Sequence, residues 1–192
     1  MSSTALERRP ARIGPIPAGL AMWVTIRPIE SSDWEGLFDF YRGLSQQARY
    51  TRFLGMSPGI DDRAARRFAA ARERGADGYV AILREAGRRD GRVVGHLCME
   101  PMPSGAEEVA VAVADEFRHR GVGTQLMAAA MQAARARGVP KLVAAMFAGN
   151  EPMRRLFLSA GGGVRRQTTD AGVTSIELDP AAASNERGGN LS

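Results

Sequence analysis

The chain has 192 residues, 44% hydrophobic and 24% charged, the balance of one soluble globular domain. Its net charge of +5 comes almost wholly from arginine, with Lys141 the only lysine. The arginine pairs (Arg66-Arg67, Arg88-Arg89, Arg154-Arg155, Arg165-Arg166) are scattered and do not form the stripe of a nucleic-acid surface. Cys98, the lone cysteine, excludes an internal disulfide and a thiolate cluster, and with only His96 and His119 no metal site is expected. No apolar run is long enough to cross a bilayer, and the prolines and glycines after Arg8-Arg9 break up any export signal, so a cytoplasmic protein with no membrane partner is expected.

Residues 1–21 are rich in Pro, Gly, Ser and Arg without periodicity and predict a flexible tail, or a stretch upstream of a start at Met22. Residues 181–192 predict a second, disordered tail, which leaves 22–180 as the domain. Trp23–Ile29 reads as a strand, and Ser31-Ser32-Asp33 as the cap of a helix carrying Trp34, Leu37, Phe38 and Tyr41. Asp61-Asp62 open a second helix to Arg74. Residues 78–83 and 92–99 read as strands joined by a turn over 87–91. Glu107–Ala114 is a third strand of this group. A long helix follows from about Gly121 to Arg137, stopped by Gly138 and Pro140. A strand over 141–147, a helix over 150–160 and a hairpin of 163–169 with 172–178 complete the order β-α-α-β-β-β-α-β-α-β-β. Strand, helix and strand across 107–147 form a crossover unit, which implies a parallel pair inside a mixed α/β sheet.

The turn Arg118-His-Arg-Gly-Val-Gly-Thr124 joins the 107–114 strand to the long helix. The first turn of a helix has unpaired N–H groups and the positive end of the dipole. Gly121 and Gly123 let the backbone approach a ligand, and Arg118 and Arg120 add charge-assisted bonds to phosphate. A dinucleotide fingerprint needs a further glycine where Leu126 stands, and a Walker A loop needs a lysine that is absent.

With its strand before and helix after, the spacing Arg118-x-x-Gly121-x-Gly123 resembles the pyrophosphate turn of the GNAT superfamily of N-acetyltransferases. The resemblance covers about residues 22–180. Asn150-Glu-Pro-Met-Arg-Arg-Leu-Phe-Leu-Ser-Ala-Gly161 is similar to the family's Asn-x-x-Ala-x-x-Leu-Tyr-x-x-x-Gly-Phe. Leu44-Ser-Gln-Gln-Ala-Arg-Tyr-Thr-Arg-Phe53 resembles a segment of the GNAT domains of bacterial protein lysine acetyltransferases.

This implies a mixed, mostly antiparallel sheet of about six or seven strands with a splayed parallel pair and about four helices. It implies acetyl-CoA as cosubstrate, held by Val111, Ala112, Val113, Arg118, His119, Arg120, Gly121, Val122, Gly123, Thr124, Asn150 and Phe157. Glu108 matches the family's general base; a partly buried carboxylate there would have a raised pKa. Glu107 and Glu108 point to opposite faces of their strand, so at most one faces the cleft. Arg49 and Tyr50 would shape the amine site, or pack on the sheet. His96 and Cys98 share a strand face as core or cleft wall. Phe157 stands where many members carry a tyrosine general acid, Gly162 where phenylalanine is usual, and Met153 where alanine is usual. The implied acceptor is a primary amine, with protein lysine ahead of small-molecule amines. The resemblance implies a homodimer as the assembly, and a non-catalytic acyl-CoA sensor is the alternative function.

Overall fold

The computed structural model describes residues 11–13, 22–56, 59–86 and 91–182. The expected turn over 87–91 lies outside them except for Gly91, as do most of the two expected tails. One piece of the N-terminal stretch differs from expectation. Ala11–Ile13 forms strand β1, which pairs antiparallel with β2 (Met22–Pro28).

The chain continues through α1 (Trp34–Gly43), α2 (Gln46–Phe53), α3 (Asp62–Ala69), β3 (Asp77–Glu85), β4 (Arg92–Pro101) and β5 (Glu107–Val113). Then come α4 (Val122–Arg137), β6 (Leu142–Phe147), α5 (Glu151–Leu158), β7 (Gly163–Asp170) and β8 (Val173–Asp179). The strands make one eight-stranded sheet in the order β1-β2-β3-β4-β5-β6-β8-β7. Every neighbouring pair is antiparallel except β5 with β6. With β1 the sheet has one strand more than the upper expectation. With α2 the helices number five among the described residues. No helix among these residues is long and apolar enough to cross a membrane.

Strand alternation sends successive side chains to opposite layers. Ala81 and Leu83 join the core beneath α4, with Leu126, Met127, Ala130, Met131 and Ala134 at helical spacing. Val80 and Ile82 join the other core, with Leu37, Phe40 and Tyr41 of α1. Gly162 belongs to the first layer. A Cβ on it would collide with the Met131 side chain and lie 2.7 Å from the Asp179 carbonyl oxygen, so the family's phenylalanine has no room there.

Two joints place the cleft. The parallel pairing holds only at Glu107 with Leu142 and Glu108 with Val143, after which β5 and β6 part. The chain then turns into α4 through Gly121, whose left-handed φ of 78° suits a residue without a Cβ.

Candidate active site

A cleft of about 530 Å³ opens where β5 and β6 diverge. Its floor is Val111, Ala112 and Val113 of β5. One end is the turn Phe117, Arg118, His119 and Gly121 with Gly123 and Thr124 of α4. Asn150, Pro152, Met153, Arg155, Leu156 and Ser159 close one side, and Gln47, Ala48, Thr51 and Arg52 of α2 the other.

The phosphate-type end is built from backbone. The first bond of the α4 ladder runs from the Gln125 N–H to the Gly121 carbonyl at 3.1 Å, so the Val122, Gly123 and Thr124 amides stand ahead of it. Among the described residues no side-chain cap bond closes this helix start. His119 lines the same end at a φ of 58°, a conformation uncommon for a side chain with a Cβ. Arg118 lines it too, with its guanidinium 3.0 Å from Asp115. Asp115 accepts from the Ser45 N–H and hydroxyl, each at 3.1 Å, and Ser45 caps α2. One carboxylate thus ties the turn to the helix across the cleft.

Arg120 and Val122 are not in the cleft wall. Arg120 lies 6.0 Å over the Phe117 ring, and the Val122 side chain is buried in the core. Asn150 is in place: its side chain caps α5 by accepting from the Met153 N–H at 3.3 Å. Phe157 is not. It is 2% exposed within the α4 core. Pro152, Leu156 and Ser159 share one face of α5, and position 157, one step round, turns inward with Ala160.

On β5 the two glutamates separate as alternation requires. Glu107 is buried and paired with Arg137 of α4, at 2.6 and 2.7 Å. Glu108 faces the other way and is exposed rather than partly buried. It pairs in register with Glu100, next to Ala110 with Cys98 and Ala112 with His96 on the same face. Arg49 and Tyr50 lie outside the cleft wall. Arg49 donates to the Leu44 carbonyl at 2.6 Å. Tyr50 stacks on Phe147 of β6, with ring centroids 4.8 Å apart and planes at 11°, so α2 bridges to the far side of the parted strands.

A polar group lies under α2. Tyr41 Oη is 2.9 Å from His96 Nδ1, and Arg52 Nη2 donates to the Cys98 sulfur at 3.1 Å. Burial, helped by the Arg52 charge, lowers His96 to about 3, so the ring is neutral. Burial pushes the Tyr41 hydroxyl up to about 12 and raises the Cys98 thiol, with Arg52 opposing in both cases. Among the described residues no group of three or more His, Cys, Asp or Glu is placed to hold a metal.

Sequence periodicity missed the α2 wall. Only Ala48 of α2 is fully buried, so the run lacks an apolar stripe. The available signals were Ser45 as an N-cap and the spacing of Gln47, Ala48, Thr51 and Arg52, which is one helix face.

The cleft suits a polyanion with a peptide-like arm. None of its lining residues is a carboxylate, while Arg52, Arg118 and Arg155 are cationic. The β5 edge beyond Glu108 has lost its β6 partner, so its backbone groups are available to an extended ligand. Residues 35–161 match the model of the Acetyltransferase (GNAT) family. Among solved structures, the GNAT domain of S. lividans PAT is 25% identical with a TM-score of 0.70, over 88% of this chain and 96% of that one. The yncA protein of Salmonella typhimurium, a putative acetyltransferase solved with its cofactor acetyl-CoA, is 21% identical with a TM-score of 0.65, over 85% and 98%. The ribosomal-protein-S5-alanine acetyltransferase of Vibrio fischeri is 11% identical with a TM-score of 0.62, over 85% and 94%.

Proposed function

Because the chain belongs to the GNAT acetyltransferase family, we propose that it moves the acetyl group of acetyl-CoA to a primary amine, by direct attack with Glu108 as general base. One observation carries the proposal: a strand edge freed at Glu108 leads to a helix N-terminus whose amides face a cationic cleft. The Val122, Gly123 and Thr124 amides, with Arg118 and His119, hold the pyrophosphate. Val111, Ala112 and Val113 hold the pantetheine arm by main-chain bonds. The cosubstrate supplies an activated acyl carbon.

Glu108 stands at the fork of β5 and β6, exposed and without an ion-pair partner among the described residues. There it takes the ammonium proton of the acceptor, directly or through water. A β5 N–H donates to the carbonyl oxygen as charge develops on it. Phe157 carries no hydroxyl and sits in the core, so the departing thiolate is protonated through water.

The Leu44–Phe53 segment, which forms α2 and its approach, supports protein lysine as acceptor ahead of small-molecule amines. A homodimer and a cytoplasmic location belong to the same proposal. The absent hydroxyl at position 157 supports a second reading, a slow or silent acyl-CoA sensor.

Calorimetric titration with acetyl-CoA and with dephospho-CoA, on the wild type and on Gly121→Glu, tests the cradle. Micromolar binding lost in the variant supports it, and no binding by folded wild type removes it. Glu108→Gln then separates the readings. Turnover that collapses with affinity retained supports the enzyme. Tight binding without measurable wild-type turnover supports the sensor.

A further inference from the structure

Arg52 is a charge in the cleft wall with no counter-ion among the described residues. Its Nη2 meets the Cys98 sulfur, and its Nε is buried without a hydrogen-bond partner. Among the described residues no carboxylate comes within ion-pair distance of it. A guanidinium does not shed its proton, and this one is half-buried in the cleft wall, so a cation without a carboxylate partner faces the space a ligand would fill. Its polar neighbours are the Cys98 sulfur and the Tyr41 hydroxyl, which favour its charge, but neither is a carboxylate.

The position of this charge is informative. Arg52 lies in the α2 wall of the cleft, against Cys98 of β4, and shares that wall with Ala112 of β5. Cys98 and His96 pair in register with Ala110 and Ala112, so the β5 side chains on this face next to Cys98 and His96 are methyl groups. Glu108 lies on the same face two residues before Ala110, about 6.6 Å along the strand.

We propose that the ligand supplies the missing anion: the acyl end of the cleft is a carboxylate-binding site anchored by Arg52. The inference rests on the acetyltransferase proposal for the identity of that end. Two molecules could bring the carboxylate. One is an amino-acid acceptor, whose ammonium then faces Glu108 while its carboxylate meets Arg52. The other is an acyl donor with a distal carboxylate, such as a succinyl thioester. Planar guanidinium and carboxylate match in a two-pronged geometry that neutral amides cannot copy.

The test is calorimetry on the full chain with two arms. The first compares a panel of N-acetyl-amino acids with their carboxamides, and the second compares succinyl-CoA with acetyl-CoA. In one arm the carboxylate form should bind about ten- to a hundredfold tighter than its neutral partner. Arg52→Gln should bring that ratio to within about twofold of unity. Cys98→Asp, which places a carboxylate against the guanidinium, should do the same without removing it, and serves if Arg52→Gln does not fold. A preference in the first arm assigns the carboxylate to the acceptor, and in the second to the donor. No preference in either arm, or one that survives both variants, overturns the proposal. Loss of all CoA-thioester binding by the wild type counts instead against the acetyltransferase proposal, and the first arm still reports on Arg52.

Discussion

Gly123→Ala should move stability and ligand affinity in opposite directions. Position 123 lies in the first turn of α4 with helical backbone, so alanine restricts the unfolded chain and favours the helix by about 0.5–1 kcal/mol. The added Cβ meets the end of the Leu156 side chain at 3.2 Å and the Val113 methyl at 3.8 Å. Leu156 can yield by a few tenths of an ångström, so the packing cost is smaller than the helix gain. The same methyl stands in the cleft wall between Gly121 and Thr124, where a phosphate must approach to meet the amides. Losing one charge-assisted hydrogen bond costs about 1.5–3 kcal/mol, or roughly ten- to a hundredfold in Kd. Urea unfolding gives the first quantity and calorimetric titration with acetyl-CoA the second. A stable variant whose Kd stays within twofold of wild type would refute the assignment of the phosphate to these amides. A variant destabilised by more than about 1 kcal/mol would refute the packing argument.

Phe157→Tyr should destabilise without speeding the reaction: a hydroxyl forced into the α4 core should cost about 1–3 kcal/mol in urea unfolding, with no rise in kcat. Arg137→Ala leaves Glu107 buried without its partner and should destabilise by about 2 kcal/mol, less than a fully buried pair because Arg137 is 37% exposed. His96 is neutral in the fold with its pKa lowered to about 3, against about 6.5 in the unfolded chain. The unfolded state therefore binds the extra proton below about pH 6.5, so stability falls as the pH drops from there toward about 3. Denaturation midpoints of His96→Gln should show a shallower acid slope between those values.

The elements with strong periodicity or punctuation were legible. The long helix was marked by its glycines at 121 and 138, and the β5–α4–β6 crossover by order alone. Alternation separated Glu107 from Glu108, and the structure supplies the reason for burial at 107, the Arg137 partner thirty positions away. What the sequence hid was non-local. The rotation of α5 that sinks Phe157 and exposes Leu156 depends on how that helix docks, which a motif aligned by position does not encode. The α2 wall was hidden because a helix that faces a cleft needs no apolar stripe. Arg52 stands in the Leu44–Phe53 run, yet its setting beside Tyr41 and Cys98, with no carboxylate at ion-pair distance among the described residues, exists only in the fold.

The two-residue pairing of β5 with β6 makes the sheet mechanically two plates. One plate is β1 through β5, the other β6, β8 and β7, and between them the backbone is riveted only beside Glu107 and Glu108. The Tyr50–Phe147 stack is a side-chain clasp across the same seam. A strand-like ligand lying in the seam would complete the hydrogen-bond ladder and join the plates, stabilising the fold by RT ln(1 + [L]/Kd). Amide exchange along the free edges, Val111 to Val113 and Ala144 to Phe147, would then slow together on binding.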